Sequence, residues 1–259
     1  MTQTRQIYPV RALKDNYIWV IFHSDTKESY VVDPGDSAPV ITFLKQNNLK
    51  LSGILITHHH WDHVHGVEGL LMEYHAPVIG SYGSSLSTLT DRVKEGDVVA
   101  FSANLPTFQV FEIPGHTLDH IAFYHDDILF CGDTLFGAGC GRLFEGTGEM
   151  LYASLQKLAQ LPDDTRVYCA HEYTLLNLQF AHHVEPKNLH VKQRLLETER
   201  LYQQHQPSVP SQLGLEKATN PFLRCDDAKL KHAVASFSGR TLTTAEDVFV
   251  ALRRWKDSF

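Results

Sequence analysis

The chain has 259 residues, 43% hydrophobic and 20% charged, with a formal net charge of −7. That composition fits a folded globular protein, excludes intrinsic disorder and argues against general nucleic-acid binding, which needs a basic face. No apolar run approaches the roughly 18 residues of a membrane helix, and Met1 to Gln6 lacks the apolar core of a signal peptide, so a cytoplasmic protein without membrane contact is expected.

In chain order, Ile7 to Val10, Tyr17 to Phe22 and Ser29 to Val32 read as an opening meander of strands, closed by the turn Asp33-Pro34-Gly35-Asp36. Val40, Ile41, Phe43, Leu44 and Leu49 share one face of a helix. The strand Gly53-Ile54-Leu55-Ile56 follows and runs into Thr57-His58-His59-His60-Trp61-Asp62-His63. Val64 to Tyr74 suits a helix, and Pro77 to Ser81, Asp97 to Phe101 and Thr107 to Ile113 suit strands. His120 to Tyr124 and Ile128 to Cys131 form a hairpin around Asp126-Asp127. A helix near Met150 to Leu161 leads to the strand Val167 to Ala170. From about Tyr173 the pattern turns helical: Leu175 to Phe180, Leu189 to Tyr202, Ala228 to Phe237 and Ala245 to Trp255, with no strand-like run of comparable quality. A boundary near 172 therefore separates residues 1–172 from a helical domain, 173–259.

Four cysteines, Cys131, Cys140, Cys169 and Cys225, show no Cys-x-x-Cys spacing and read as reduced, mostly buried thiols. Any metal must then be held by nitrogen and oxygen. The His-x-His-x-Asp-His run offers such a set, because alternation along an extended segment points His58 and His60 the same way while Asp62 and His63, entering a helix, reach a second ion. His116, Asp133 and His171 share one grammar, a candidate ligand placed directly after an apolar strand. Taken singly, His116 also reads as a hydrogen-bonded loop residue and Asp133 as a helix cap. Taken with the histidine run, the residues group as His58, His60 and His116 on one ion and Asp62, His63 and His171 on another, with Asp133 bridging because a carboxylate has two oxygens to share. Two such ions stand roughly 3.5 to 4 Å apart and share a water with a pKa near 7. Zinc leads as the metal, with iron and manganese as alternatives on the same donors. The other histidines, His59 and His120 among them, read as surface or hydrogen-bonded residues.

These motifs, with Pro114-Gly115-His116-Thr117, Gly132-Asp133-Thr134 and Ala170-His171-Glu172, resemble the metallo-β-lactamase superfamily. Asp33-Pro34-Gly35-Asp36, Cys131 to Phe136, Gly139-Cys140-Gly141-Arg142, Asn220-Pro221-Phe222 and Arg253-Arg254-Trp255-Lys256 narrow the resemblance to the glyoxalase II, or hydroxyacylglutathione hydrolase, family over essentially the whole length. The resemblance implies an α+β fold, a four-layer αββα catalytic domain followed by a helical domain that helps bind glutathione. It implies a dinuclear thioester hydrolase that converts S-D-lactoylglutathione to glutathione and D-lactate, the second step of methylglyoxal detoxification, in a monomer. Tyr173, Arg253 and Lys256 are then glutathione contacts. Arg142 and Phe144 stand where some relatives carry Lys and Tyr, so a hydroxyl donor is lost at Phe144. Asp62 and Asp133 work at the reacting centre, and Asp62 holds the proton of the attacking water. A thiolate leaves without help from a general acid. The alternatives are a mono-iron persulfide dioxygenase, which needs fewer ligands than are present, and a lactonase or β-lactamase, for which a cationic C-terminal patch has no purpose.

Overall fold

The structure is a computed structural model that describes residues 5–259. Contacts divide it into two compact units, one running to Glu112 and resuming at Asp119–Gly132, the other comprising Ile113–Leu118 and Asp133–Phe259.

The first unit begins with a sheet of β1 (Arg5–Ala12), β2 (Asn16–His23), β3 (Glu28–Val32), β4 (Lys50–Leu55), β5 (Val78–Ser81) and β6 (Asp91–Val93), in that spatial order. β1, β2 and β3 are antiparallel, whereas β3 to β6 run parallel. Parallel neighbours need crossovers, supplied by α1 (Ser37–Gln46) and by α2 (Trp61–Val64) with α3 (Val67–Glu73). Strand alternation decides the faces. Val31 and Ile54 join Val40 and Leu44 of α1 and Val67 and Leu70 of α3 in one apolar cluster. Tyr30, on the opposite face of β3, meets Phe108 at 6.3 Å between ring centroids. Phe108 belongs to a second, antiparallel sheet of β7 (Val98–Val99), β8 (Phe108–Glu112), β9 (Ile121–His125) and β10 (Ile128–Gly132). Burial of Tyr30 is made tolerable by its hydroxyl, which accepts the amides of Phe101 at 2.9 Å and Ser102 at 3.2 Å.

The second unit holds a short hairpin, β11 (Leu135–Phe136) with β12 (Gly139–Cys140), then α4 (Gly148–Ala159) and β13 (Arg166–Cys169). Helices α5 (Thr174–Val184), α6 (Leu189–Gln203), α7 (Leu213–Thr219), α8 (Ala228–Ser238) and α9 (Ala245–Ser258) complete it, with β14 (Ser211–Gln212) antiparallel to β13. Side-chain caps fix the helix starts: Thr147 for α4, Asn188 for α6, Asp227 for α8, and a Thr244/Asp247 capping box for α9. Phe180, Phe222 and Phe249 are fully buried among these helices.

The elements follow the sequence pattern with local departures. The helix expected over Val64 to Tyr74 is interrupted at His65-Gly66, where the Gly66 amide donates to Pro34 O at 2.9 Å. The strand expected over Asp97 to Phe101 shortens to Val98–Val99, since the amides of Phe101 and Ser102 go to Tyr30. Past residue 173, β14 and α7 are additional. No helix among the described residues is long and apolar enough to cross a membrane.

Candidate metal centre and its surroundings

Asp33 and Thr57 lie just past the carboxyl ends of the adjacent parallel strands β3 and β4, the rim on which open α/β sheets collect ligands. Asp33 takes a left-handed backbone, φ 51°, tolerable for an aspartate. Its Oδ1 accepts the Thr57 amide at 2.7 Å and its Oδ2 accepts the Thr57 hydroxyl, also at 2.7 Å. The same Oδ2 lies 3.1 Å from His63 Nδ1. Thr57 Oγ1 in turn stands 3.1 Å from His58 Nδ1. Since Thr57 Oγ1 donates to Asp33, it accepts from His58. Both histidines are then protonated at Nδ1, and each keeps the lone pair of Nε2 for a cation. Asp33, His58 and His63 form one buried cluster, but the Asp33 oxygens are turned to Nδ1 atoms and to Thr57. Asp33 is therefore an orienting group.

The rest of this run follows from the strand-to-helix transition. His60 caps α2 with extended backbone and places Nδ1 3.1 Å from His58 Nε2. Asp62, in the first turn, has Oδ2 3.5 Å from His63 Nε2 and held at 3.0 Å by Asn16 Nδ2. His58 and His63 are almost fully buried, while His60 and Asp62 are partly exposed.

In the second unit, His116 and His171 both face Asp133. His116 Nδ1 donates to Arg142 O at 2.8 Å, leaving Nε2 3.4 Å from Asp133 Oδ2. His171 Nε2 lies 3.4 Å from the other oxygen, Oδ1. The carboxylate thus offers one oxygen to each histidine, the disposition a bridging ligand needs. Gly132, before Asp133, has φ 48°, a conformation that suits glycine and turns the chain sharply off β10. His171 stacks on Tyr173, with ring centroids 4.7 Å apart.

Two ligand atoms on one tetrahedral ion, each at about 2.0 to 2.1 Å, stand about 3.3 Å apart. The four donor pairs, at 3.1, 3.5, 3.4 and 3.4 Å, have that edge length. Each pair is thus spaced as two donors on one cation are. The donor set of imidazoles and carboxylates fits a dinuclear metal site.

The expected substrate contacts are all in the second unit. Arg142 is exposed, and its Nε stands 3.8 Å from Asp257 Oδ1. Arg253 is buried, its Nη1 donating to Cys140 O at 3.0 Å, its Nη2 to Asp257 at 3.1 Å, and its guanidinium lying over the Phe222 ring. The Lys256 ammonium lies over the rings of Phe180 and Phe259. Burial, and then the neighbouring Arg253 charge, lowers the Lys256 pKa to about 8. Phe144 is exposed, with its ring edge-on to His116. The four cysteines are buried thiols outside any disulfide, and burial pushes Cys140 to about 11 and Cys169 to about 12, so neither supplies a thiolate nucleophile near neutrality.

A family model for the metallo-β-lactamase superfamily matches residues 13–171, and one for the hydroxyacylglutathione hydrolase C-terminus matches residues 172–259. Among curated relatives, a protein named hydroxyacylglutathione hydrolase from Alkalilimnicola ehrlichii is 49% identical, covering 97% of this chain and 98% of its own. The chain belongs to the hydroxyacylglutathione hydrolase family. A second member so named, from Nitrosomonas eutropha, is 46% identical over 98% of both chains. The crystal structure of ETHE1 from Myxococcus xanthus shares the fold, with a TM-score of 0.65 at 24% identity over 98% of both chains. The family fold, metallo-β-lactamase with a C-terminal helical region, is the α+β architecture expected from the sequence.

Asp33, Thr57 and Asn16 were not singled out from the sequence as groups that orient ligands. The signal for Asp33 was present, an acidic residue in a turn after a buried strand, but its partners depend on β3 lying beside β4.

Proposed function

We propose that the protein hydrolyses the thioester of S-D-lactoylglutathione and related 2-hydroxyacylglutathiones, giving glutathione and the 2-hydroxy acid. His58, His60 and His116 would hold one divalent ion, Asp62, His63 and His171 a second, and Asp133 both. Zinc is the proposed metal, with iron or manganese on the same donors. Residues 1–172 would form the catalytic domain and 173–259 the helical substrate-binding domain of a cytoplasmic monomer.

The observation that carries this reading is Asp133, whose two oxygens face different histidines at 3.4 Å each. When bound, the ions would supply hydroxide at neutral pH and charge to stabilise the oxyanion of the attacked carbonyl. The protein's own part is to orient and to hold charge. Asp33 keeps His63 in one tautomer directly and His58 through Thr57. Asp62, held by Asn16, accepts the proton of the attacking water. Tyr173, Lys256 and Arg142 would contact the glutathione peptide, and the positive charge of Lys256 and Arg142 would offset the repulsion that a net charge of −7 exerts on an anionic substrate. Arg253 fits an anion site only with a second duty, since its Nη1 already donates to Cys140 O and its Nη2 to Asp257.

A substrate panel tests the reading. With no protein acid to protonate the leaving atom, rates should fall steeply from the glutathione thioester to the oxygen ester and amide of the same acyl group. A β-lactam or lactone should be a poor substrate. Equal turnover of ester and thioester, or a preference for lactones, would contradict the assignment.

A further inference from the structure

The hairpin β11–β12 directly follows Asp133 and contributes no reacting side chain, yet side chains from the helices hold its backbone. Asn177 of α5 donates to Gly137 O at 3.1 Å, and Asn220, just past α7, donates through one Nδ2 to Phe136 O at 3.3 Å and Gly139 O at 2.9 Å. Glu216 of α7 accepts the Ala138 amide at 2.7 Å, and Arg253 of α9 donates to Cys140 O at 3.0 Å. Glu216 and Asn220 are completely buried. The other oxygen of Glu216 is paired at 2.5 Å with Arg194 of α6, itself buried and bonded to Thr219 at 2.6 Å and Ser211 at 3.0 Å.

The far end of the hairpin returns to the metal ligands. The Gly141 amide donates to Thr134 O at 3.2 Å, and a Cβ at Gly141 would stand 2.1 Å from Asp133 O, so the two backbones are in contact. Arg142 O, one residue on, is the acceptor that fixes His116 Nδ1. A shift of the hairpin therefore moves the backbone of Asp133 and the ring of His116 together. Apolar side chains could seal α6 against α7 as well as a buried ion pair does, since such pairs add little net stability. What the pair adds is an acceptor aimed at one backbone amide.

We propose that Asn220 and Glu216 are positioning residues, which set Asp133 and His116 through the hairpin so that the helical region builds half of the metal centre as well as meeting substrate. The inference rests on Asp133 and His116 being ligands.

The test compares Asn220→Ala with Leu230→Ala, a truncation of a fully buried side chain on α8, and with Asp133→Ala, the melting temperature of each being measured alongside. The readouts are the rate at which the zinc-loaded protein loses metal to a chelator, the visible spectrum of the cobalt-loaded protein, and kcat and KM for the thioester. Asn220→Ala should lose metal about tenfold faster, change the cobalt spectrum and lower kcat about tenfold with KM within about twofold, the scale of losing a group that orients a ligand. Leu230→Ala should behave as the parent does. Equal metal loss and spectra in the two variants would overturn the inference. Should Asn220→Ala fail to fold, Arg194→Met with Glu216→Met is compared with Arg194→Met with Glu216→Gln, in which the glutamine still accepts the Ala138 amide. Faster metal loss in the Met pair alone supports the role; equal loss overturns it. If Asp133→Ala keeps two ions at the parental rate, the ligand reading fails first and this inference with it.

Discussion

The two halves of the proposed ligand set are positioned by different means. His58, His60, Asp62 and His63 lie within one strand-to-helix passage, and their order comes from neighbours in sequence plus two side chains from adjacent strands, Asp33 past the end of β3 and Asn16 of β2. His116, Asp133 and His171 are far apart in sequence, and the hairpin beside Asp133 is fixed by side chains of helices up to 113 residues on, Arg253 being the most distant. The first half is one contiguous segment braced by side chains of neighbouring strands, whereas the second depends on a hairpin held by side chains of the helices. Damage to the second half should therefore be done from a distance, and damage to the first from close by.

The largest effect should follow from Asp133, the residue proposed to serve both ions. Asp133→Ala should lower turnover by roughly a thousandfold, the scale of removing a preorganised charge-stabilising group, with less metal in elemental analysis. Normal turnover and metal content would break the comparison at its base.

In the local half, Asp33→Ala should cost about 10- to 100-fold in metal affinity or kcat, because His58 and His63 lose the group that sets their tautomers. The check is metal retention during dialysis alongside kcat. Asp33→Asn should recover only part of the loss, since an amide accepts through one oxygen where the carboxylate accepts through two.

That Asp33 had to be seen in the structure shows how far the sequence is legible. The proposed ligands stand out because strand-end placement and the His-x-His-x-Asp-His spacing are local patterns. The partners of Asp33 depend on which strands pair in parallel, and a turn motif does not record that. Nor do two-residue strands such as β11, β12 and β14 carry a periodicity, so the hairpin and its attachment to α7 left no trace in the pattern of apolar residues. Arg253 shows the same limit. A basic residue near a helix end reads as exposed, and here Phe222 and Cys140 O draw it inside.

A smaller effect concerns pH. Burial and Arg253 lower the Lys256 pKa to about 8, so the ammonium is charged below that value and neutral above it. KM for the glutathione thioester should rise as pH passes through about 8, and Lys256→Met should show a raised, flat KM, by roughly five- to tenfold at neutral pH for a lost charged hydrogen bond discounted for solvent. For stability the sign is opposite: the folded pKa lies below the value of 10.5 expected in the unfolded chain, so folding should become more favourable as pH rises between about 8 and 10.5. Lys256→Met should remove both dependences. A short thioester without the peptide should be turned over equally by parent and variant.

The smallest effect is expected at Arg142, whose side chain is 68% exposed with a single ion pair at 3.8 Å. Arg142→Ala should change KM by about two- to threefold and leave kcat and metal content as they were, because exposed ion pairs contribute at most about 1 kcal/mol. His116 is bonded to the carbonyl of residue 142, which the substitution keeps.

The most direct test of the account is to strip the protein with a chelator and restore zinc in measured equivalents while following thioester turnover. Two ions held by a shared Asp133 predict full activity only at two equivalents per chain, and half-sites that fill together predict about half of it at one. Full turnover at a single equivalent, or turnover in the metal-free protein, would contradict a centre built from both halves of the ligand set.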